Sequence, residues 1–248
     1  MDIKRFYSDK KRLKYNPSKD LKTRSGFRKL LSYDDRFDSV VSVLEDLVSS
    51  HDGKLKVLDV GVGDAVYEQR IPKTHRKKMY ITGIDISEEQ LARSKEYIDK
   101  AIALDVDTQR FPFNDGMYDL VIISELLEHI FSPDKVLNEA CRVLKKGGRL
   151  LLTYPNVGAI QLRSSLLIFG KSPLLNYPEN QEHIRFFNRI DIISMLPKMI
   201  ECQYAGLGSF LFQRFNFPIK IITPRPLQVF GNKYLKRLAL GHLLLLKK

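Results

Sequence analysis

Residues 57–65 read VLDVGVGDA, and this stretch decides the fold. Its apolar residues predict a buried strand, and Gly61 and Gly63 predict a tight turn in which the backbone can approach a ligand closely. A second predicted strand ends in GIDIS (83–87), where Asp85 follows Gly61 by 24 residues. A carboxylate at that place can accept hydrogen bonds from ribose hydroxyls. Together the two segments predict an α/β fold that binds a nucleoside.

The strand that carries this turn contains one acid, Asp59. Burying a carboxylate inside a strand is costly unless a partner compensates it. Two interpretations of Asp59 stay open: it caps backbone amides of the following turn, or it interacts indirectly with a cationic ligand. The third glycine of a dinucleotide-binding loop would fall at Val66 and is absent. The glycine pattern alone is therefore a weak indication of a cofactor.

Short apolar runs alternate with helical patterns along most of the chain. Strands are predicted at 56–60, 79–85, 101–106, 118–124, 149–155, 201–213 and 241–248. Helices are predicted at 27–49, 64–71, 88–99, 133–145 and 189–199. Such alternation predicts βαβ units and a mostly parallel sheet covered by helices on both faces. The predicted fold class is α/β, an open sheet of about seven strands.

Composition excludes several classes of protein. The chain has 248 residues, of which 44% are hydrophobic, and this length can bury a substantial core. Its two cysteines, Cys141 and Cys202, lack partners at metal-finger spacing, which excludes a zinc ribbon and argues against a disulfide framework. The N-terminus lacks the apolar core of a signal peptide, and no apolar window reaches a membrane span. We expect a cytoplasmic protein, with peripheral contact to a membrane as an open alternative.

The net charge of +12 is concentrated at the two ends. Residues 1–30 hold eleven Lys and Arg against three Asp, and residues 214–248 hold eight Lys and Arg and no acid. Basic ends on a mildly acidic body suggest an anionic partner, such as RNA, an anionic membrane or a phosphorylated substrate. The alternative is that the charge only solubilises the chain. We treat residues 1–26 as a basic leader.

Two later stretches complete the pattern. Residues 105–130 read DVDTQRFPFNDGMYDLVIISELLEHI, and residues 142–156 read RVLKKGGRLLLTYPN. In order and spacing, the four stretches resemble the motifs of class I S-adenosylmethionine-dependent methyltransferases, in particular the ubiquinone-pathway O-methyltransferase-like or methyltransferase type 11 group. The resemblance implies a three-layer Rossmann-like sheet in the order 3-2-1-4-5-7-6, with an antiparallel last strand, formed by residues 27–248.

The resemblance also implies where S-adenosylmethionine binds. Gly61 and Gly63 would wrap its methionine part, and Asp85 would hold the ribose. Asp107 would accept the adenine amino group, with Asp105 as the other candidate. The implied cofactor-binding residues are Asp59, Gly61, Gly63, Asp85, Ile86, Asp105, Val106, Asp107 and Ser124. Where this family usually has a third glycine the chain has Ala65, which leaves less room.

An acidic-histidine cluster follows the fourth predicted strand. In SELLEHI (124–130), Glu125, Glu128 and His129 have the spacing that places three groups on one side of a helical turn. Carboxylates and imidazoles suit Mg²⁺, Mn²⁺ or Zn²⁺. The pattern is similar to the metal motif of ubiquinone-pathway O-methyltransferases and of enzymes that methylate the terminal ribose 2′-hydroxyl of small RNAs.

The RNA enzymes have a further histidine after the fifth strand, and EHIRFF (182–187) offers His183 in that context. Glu125, Glu128, His129 and His183 are therefore the candidate metal ligands. Without a metal, His129 or His183 could act as general base, since an unperturbed imidazole titrates near neutrality. His129, His183 and Glu128 are the catalytic candidates.

The acceptor is constrained only by class. The Asn/Asp-Pro-Pro-aromatic box of many base N-methylating enzymes is replaced here by Ser-Glu-Leu-Leu (124–127), which favours a hydroxyl of a small molecule, lipid or glycan. Residues 157–182 occupy the place of a substrate lid, which could also rest on a membrane. Residues 210–236 interleave aromatic and basic residues, as in nucleic-acid contacts or a packed hairpin. RNA ribose 2′-O-methylation and a non-catalytic cofactor-binding module are the alternatives.

Overall fold

The computed structural model describes residues 36–170, 183–207, 230–231 and 233–248. The predicted basic leader, the second half of the predicted lid and most of the basic-aromatic insert lie outside these residues. Within the described part, no helix is long and apolar enough to cross a membrane.

The described residues form one sheet of seven strands. The strands are β1 (Leu55–Val60), β2 (Met79–Asp85), β3 (Lys100–Ala103), β4 (Tyr118–Ser124), β5 (Leu144–Pro155), β6 (Ile200–Leu207) and β7 (Gly241–Lys247). Their order is β3-β2-β1-β4-β5-β7-β6. Strands β1 to β5 pair in parallel, and β7 is antiparallel to both of its neighbours. The order and the antiparallel last strand confirm the prediction.

Helices cover both faces of the sheet. They are α1 (Arg36–Ser49), α2 (Lys73–Arg76), α3 (Glu88–Ser94), α4 (Pro133–Val143), α5 (Ile160–Phe169) and α6 (Arg189–Met195). Alternate residues of β1 point to opposite faces, so Val57 packs into the core layer that α1 covers and Leu58 into the layer that α4 covers. The two core layers confirm the three-layer Rossmann-like architecture.

Several predicted boundaries differ from the structure, and three of these differences concern the site. The predicted helix 64–71 is a turn followed by a short 3₁₀ turn, Glu68–Arg70, because Ala65 takes a left-handed φ of 55° that an α-helix cannot contain. The predicted strand 101–106 ends at Ala103, since the next residues turn back so that Gln109 donates its backbone N–H to Asp105. The lid segment contains a helix, α5, which the sequence analysis did not predict.

Candidate functional site

The loops after β1 and β2 are joined by Asp85 at the carboxyl edge of the sheet. One carboxylate oxygen accepts the backbone N–H of Gly63 at 2.9 Å, and the other accepts that of Ser87 at 2.8 Å. Burial raises the pKa of Asp85, although the two N–H groups favour its ionised form. Because each carboxylate oxygen has two acceptor sites, both keep one for a ligand hydroxyl. Asp85 therefore fits two adjacent ribose hydroxyls.

Gly61 gives the first loop its shape. Its φ is 78°, in the left-handed region, and a Cβ placed there would lie 3.1 Å from two methyl carbons of Leu126. Leu126 belongs to the loop after β4, so the two loops touch across this glycine. The backbone cradle fits a ligand that must approach the main chain closely, as the methionine part of S-adenosylmethionine would.

We expect Gly61→Ala to lower the free energy of unfolding by about 1–2 kcal/mol, the cost of a left-handed non-glycine residue. It should also weaken S-adenosylmethionine binding by about tenfold, because the new methyl group enters the cradle. Denaturant unfolding and calorimetry measure the two effects. Gly53→Ala is the matched control, since Gly53 has a φ of 84° but nothing within 4 Å of a Cβ. Equal cofactor affinity in both variants would contradict the assignment.

Two non-glycine residues among those described have positive φ, and both lie at this site. Ala65 has a φ of 55°, and Glu125 has a φ of 50°. Each conformation costs about 1–2 kcal/mol, and such strain concentrates at functional positions of proteins. Ala65 stands at the position where the resemblance implies a glycine. Its backbone adopts the left-handed conformation that a glycine would adopt there, so the loop keeps its shape although Ala65 is strained.

Asp59 lies beside a second buried acid, Glu68. The two side chains are 2% and 3% exposed, and neither oxygen of Glu68 has a hydrogen-bond partner among the described residues. Burial raises the pKa of Asp59 well above its ordinary value, and the negative charges of Glu68 and Asp85 raise it further. Burial also raises the pKa of Glu68. The pair therefore retains a proton at a pH where exposed carboxyls are ionised.

The folded state binds this proton more tightly than the unfolded chain does, so the pair's contribution to stability is lost as pH rises above the ordinary carboxyl range. We expect Glu68→Gln to stabilise the protein at pH 8 by about 1–3 kcal/mol and to lose that advantage toward pH 4. Thermal unfolding across this range measures it. Glu139→Gln should do the opposite at neutral pH, because hydrogen bonding to Arg142 lowers the pKa of Glu139. A pH-independent effect of Glu68→Gln would contradict the retained proton.

The two candidate adenine acceptors differ in how their carboxylates are used. Asp107 accepts the backbone N–H groups of Phe131 and Ser132 at 2.8 and 2.9 Å, and so orders the chain before α4. Asp105 accepts only the N–H of Asp107, at 3.1 Å, among the contacts of the described residues. The geometry therefore favours Asp105, the second of the two predicted candidates, over Asp107. The half-buried Ile86 follows Asp85 directly.

Ser124 ends β4 and takes part in a hydrogen-bonded chain. Its hydroxyl lies 2.5 Å from the Tyr67 hydroxyl and 2.6 Å from that of Thr153. Thr153 donates to one oxygen of Glu125 at 3.1 Å, and Arg36 contacts the other at 2.9 Å. The chain links the glycine loop, β4, β5 and the start of α1. It places Glu125 on the side of the site that faces α1.

Glu128, His129 and His183 come together beside this chain. The two imidazole Nε2 atoms each lie 4.0 Å from Oε1 of Glu128, and the ring centroids are 4.8 Å apart. The backbone oxygen of Glu128 accepts the N–H groups of Ile184 and Arg185 at 2.9 and 3.0 Å, which brings His183 to this place. Three of the four candidate ligands thus converge at the carboxyl edge.

The electrostatics of this histidine cluster favour neutral imidazole. Burial, and then the neighbouring His129, lower the pKa of His183 to about 4. Burial, and then the charge of Glu125, raise the pKa of Glu128 well above its ordinary value. Glu128 is 2% exposed, and neither of its oxygens has a hydrogen-bond partner within the described ranges. A buried acceptor of this kind is costly without a ligand, a proton or a cation.

Glu125 does not join the cluster as the helical spacing predicted. Residues 127–129 form a 3₁₀ turn, and Glu125 precedes it with a left-handed backbone. The i, i+3, i+4 spacing brings side chains together only on a continuous helix. Ligating atoms of the other three residues lie within 4.8 Å of one another. Atoms bound to one divalent cation are about 3.0–3.5 Å apart, so the three fit a cation after a small contraction.

Sequence reasoning missed four residues of the site. Tyr67 and Glu68 belong to the segment that we predicted as a helix, and Arg36 lies at the start of α1. Thr153 had a usable signal, because a polar residue inside an apolar strand often faces another polar group. Its partner across β4 and β5 is Ser124. The two residues are neighbours because of the register between β4 and β5, and the periodicity of the sequence does not predict that register.

Known proteins resemble this chain over the same region. The family model described as a methyltransferase domain matches residues 58–152. A ubiquinone/menaquinone biosynthesis C-methyltransferase of Laribacter hongkongensis is 35% identical over 105 residues, covering 40% of this chain and 42% of that protein. A ubiquinone biosynthesis O-methyltransferase of Vibrio vulnificus is 28% identical over 186 residues, covering 70% and 72%. The chain spans less than half of the length of several curated relatives.

The fold is also shared with solved structures. A putative methyltransferase of Bacillus halodurans superposes with a TM-score of 0.57 at 20% identity, covering 85% of this chain and 99% of that one. Matching motifs, strand order and structural neighbours agree. The chain therefore carries a methyltransferase domain over residues 58–152, and its described residues have the fold of the class I S-adenosylmethionine-dependent methyltransferases.

Proposed function

We propose that this protein transfers a methyl group from S-adenosylmethionine to a hydroxyl group of a small molecule, lipid or glycan. The observation that carries the proposal is the position of the histidine cluster. It lies at the same sheet edge as Asp85 and Gly61, and Leu126, three residues before His129, touches the glycine loop. A proton acceptor beside a methyl-donor pocket suits an acceptor that must lose a proton.

When bound, S-adenosylmethionine supplies an electrophilic methyl group on its sulfonium. Asp85 would hold the ribose, the loop at Gly61 would receive the methionine part, and Asp105 would accept the adenine amino group. Asp59 and Glu68 lie beneath the loop, where negative charge would favour the cationic donor. These residues orient the donor so that the acceptor oxygen approaches the methyl carbon from the side opposite the sulfur.

The cluster would handle the proton of the acceptor. A neutral imidazole of His129 or His183 accepts the hydroxyl proton, and the carboxyl group of Glu128 lies 4.0 Å from each imidazole. Burial and the charge of Glu125 raise the pKa of Glu128, so this carboxyl group becomes ionised only when a positive charge forms beside it. The lowered pKa of His183, about 4, keeps this imidazole neutral at physiological pH. Proton transfer by a positioned side chain contributes about 10²–10⁴-fold in rate.

A divalent cation is the second way in which the cluster could activate a hydroxyl. Glu128, His129 and His183 would hold the cation, and Glu125, which is bound to Arg36 and Thr153, would stay outside. Neutral imidazoles and a carboxylate suit Zn²⁺ or Mn²⁺ better than Mg²⁺, which prefers oxygen ligands. When bound, the cation would lower the pKa of an acceptor hydroxyl.

The relatives include both C- and O-methyltransferases of ubiquinone biosynthesis. Their names support an apolar acceptor with a hydroxylated ring for this chain. Methylation of an RNA ribose 2′-hydroxyl is the second candidate, favoured by the position of His183 and by the net charge of +12. A non-catalytic module would bind the donor without transferring the methyl group.

The test is to incubate the protein with methyl-labelled S-adenosylmethionine and panels of phenols, hydroxylated lipids, glycans and short RNAs. Mass spectrometry of the products identifies an added methyl group and the atom that carries it. Label on a hydroxyl oxygen supports the proposal, whereas label on carbon or nitrogen overturns O-methylation. Donor binding without transfer to any acceptor class would support the non-catalytic alternative.

A further inference from the structure

Asn156 joins three segments of the chain at the carboxyl end of β5. Its side-chain amide donates to the backbone oxygens of Arg237 at 3.0 Å and Ala239 at 2.8 Å, and its side-chain oxygen accepts the N–H of Gly158 at 2.9 Å. Asn156 also forms a parallel bridge with Phe187. Asn156 is 1% exposed, and its side chain therefore holds the residues that lead into α5 and the segment before β7 together.

Both of these segments expose large apolar side chains. Leu166, Leu167 and Ile168 in α5 are 57%, 87% and 67% exposed. Successive helical residues are about 100° apart, so these three cover most of the circumference of the helix rather than one face. The helix ends there at Gly170, whose N–H bonds to the Leu166 oxygen at 3.0 Å. The tip of α5 is thus an exposed apolar projection.

The segment before β7, whose backbone Asn156 ties to the start of α5, adds aromatic and basic side chains. Phe230 and Tyr234 are 52% and 62% exposed, and Lys233 lies 5.2 Å over the Tyr234 ring. Residues 233–237 contain Lys233, Lys236 and Arg237 and no acid. In α5 itself, Arg163 is exposed. We call the α5 tip together with residues 230–231 and 233–237 the apolar-basic rim.

We infer that the apolar-basic rim docks on an anionic lipid bilayer. Aliphatic side chains on a projecting helix end gain free energy when they enter the acyl region, and amphipathic aromatics suit the headgroup level. Lys and Arg beside them attract anionic headgroups. Phe230 and Tyr234 offer rings on which bases can stack, but the three exposed aliphatic side chains at the tip of α5 offer none, so the surface as a whole favours a bilayer over a nucleic acid. The inference goes beyond methyl transfer and needs no acceptor to be tested.

The experiment is co-sedimentation of the full chain with vesicles of phosphatidylcholine alone and of phosphatidylcholine mixed with phosphatidylglycerol. We expect binding to the mixed vesicles that weakens as salt rises. The double variant Leu167→Glu/Ile168→Glu should bind them about tenfold less or worse, because it removes two inserting side chains and adds repulsive charge. S-adenosylmethionine affinity, measured in the same preparations, reports whether the fold and the donor pocket are intact.

Ile200→Glu is the matched control. Ile200 is 69% exposed, but it begins β6 and pairs with Lys247, at the end of β7 that lies away from the rim. This variant should bind vesicles as the parent chain does. Absence of binding to mixed vesicles at low salt would overturn the inference, and so would equal losses in the control and the double variant. Binding of a single-stranded RNA that the double variant alone loses would instead assign the rim to nucleic acid.

Discussion

Replacing His129 and His183 together by alanine is expected to lower the rate of methyl transfer by about 10²–10⁴-fold, the usual contribution of general acid–base catalysis. The expectation rests on two imidazoles that each lie 4.0 Å from a buried carboxylate oxygen of Glu128. Label transfer to the acceptor found by the product screen measures the rate. Affinity for S-adenosylhomocysteine, measured by calorimetry, should stay within about twofold of the parent value, because neither imidazole belongs to the predicted donor contacts.

The control is His51→Ala, which removes an imidazole that lies 3.9 Å from Asp119, outside the histidine cluster. A chelator separates the two ways of activating the hydroxyl. If the chelator abolishes activity and added Zn²⁺ or Mn²⁺ restores it, the cluster binds a cation. If activity resists the chelator, an imidazole acts as the base. A double variant that keeps the parent rate would show that the cluster is structural.

Asp85→Ala is expected to weaken S-adenosylmethionine binding by about 1.5–3 kcal/mol, or roughly 10- to 150-fold in Kd. The substitution removes the two acceptor sites that we propose for the ribose hydroxyls. It also removes the hydrogen bonds from Gly63 and Ser87, and thus the link between the first two loops. Calorimetry with the donor, and with S-adenosylhomocysteine as a neutral-sulfur analogue, measures the loss.

Asp99→Ala is the matched control for this substitution. Asp99 also accepts a backbone N–H, that of Ile81 at 2.7 Å, and contacts Arg76 at 2.9 Å, but it precedes β3 at the far edge of the sheet. Both variants should lose stability, and Asp85→Ala alone should lose donor affinity. Unchanged affinity in Asp85→Ala, or an equal loss in both, would remove Asp85 from the donor site.

Local sequence patterns were enough to predict the strands of the sheet and the loops that carry Gly61 and Asp85. β2 and β4 have the bounds predicted from their apolar runs, because strands buried on both faces need such runs and end where polar or glycine residues begin. The tight turn at Gly61 and the carboxylate of Asp85 at the end of β2 were also predicted from the sequence. A left-handed turn and a carboxylate at a strand end are local requirements that only a few residue types satisfy.

Residues whose role depends on a distant neighbour could not be assigned in this way. Asp107 and Asp105 are two positions apart and equally acidic, and only the approach of Phe131 and Ser132 distinguishes them. Glu68 carries no sequence signal, because its burial beside Asp59 depends on how the loop after β1 folds back under the sheet edge.

The acidic-histidine motif was likewise predicted in part from the sequence and decided in part by the tertiary structure. The pattern in residues 124–130 together with His183 predicted a cluster, and backbone bonds from Ile184 and Arg185 to Glu128 bring three of its members together. Glu125 was assigned to the cluster from helical spacing, but its positive φ turns it toward Arg36 and Thr153. Residue type and spacing carry local geometry, whereas the direction of a side chain is set by backbone torsions and by partners that only the tertiary structure brings into contact.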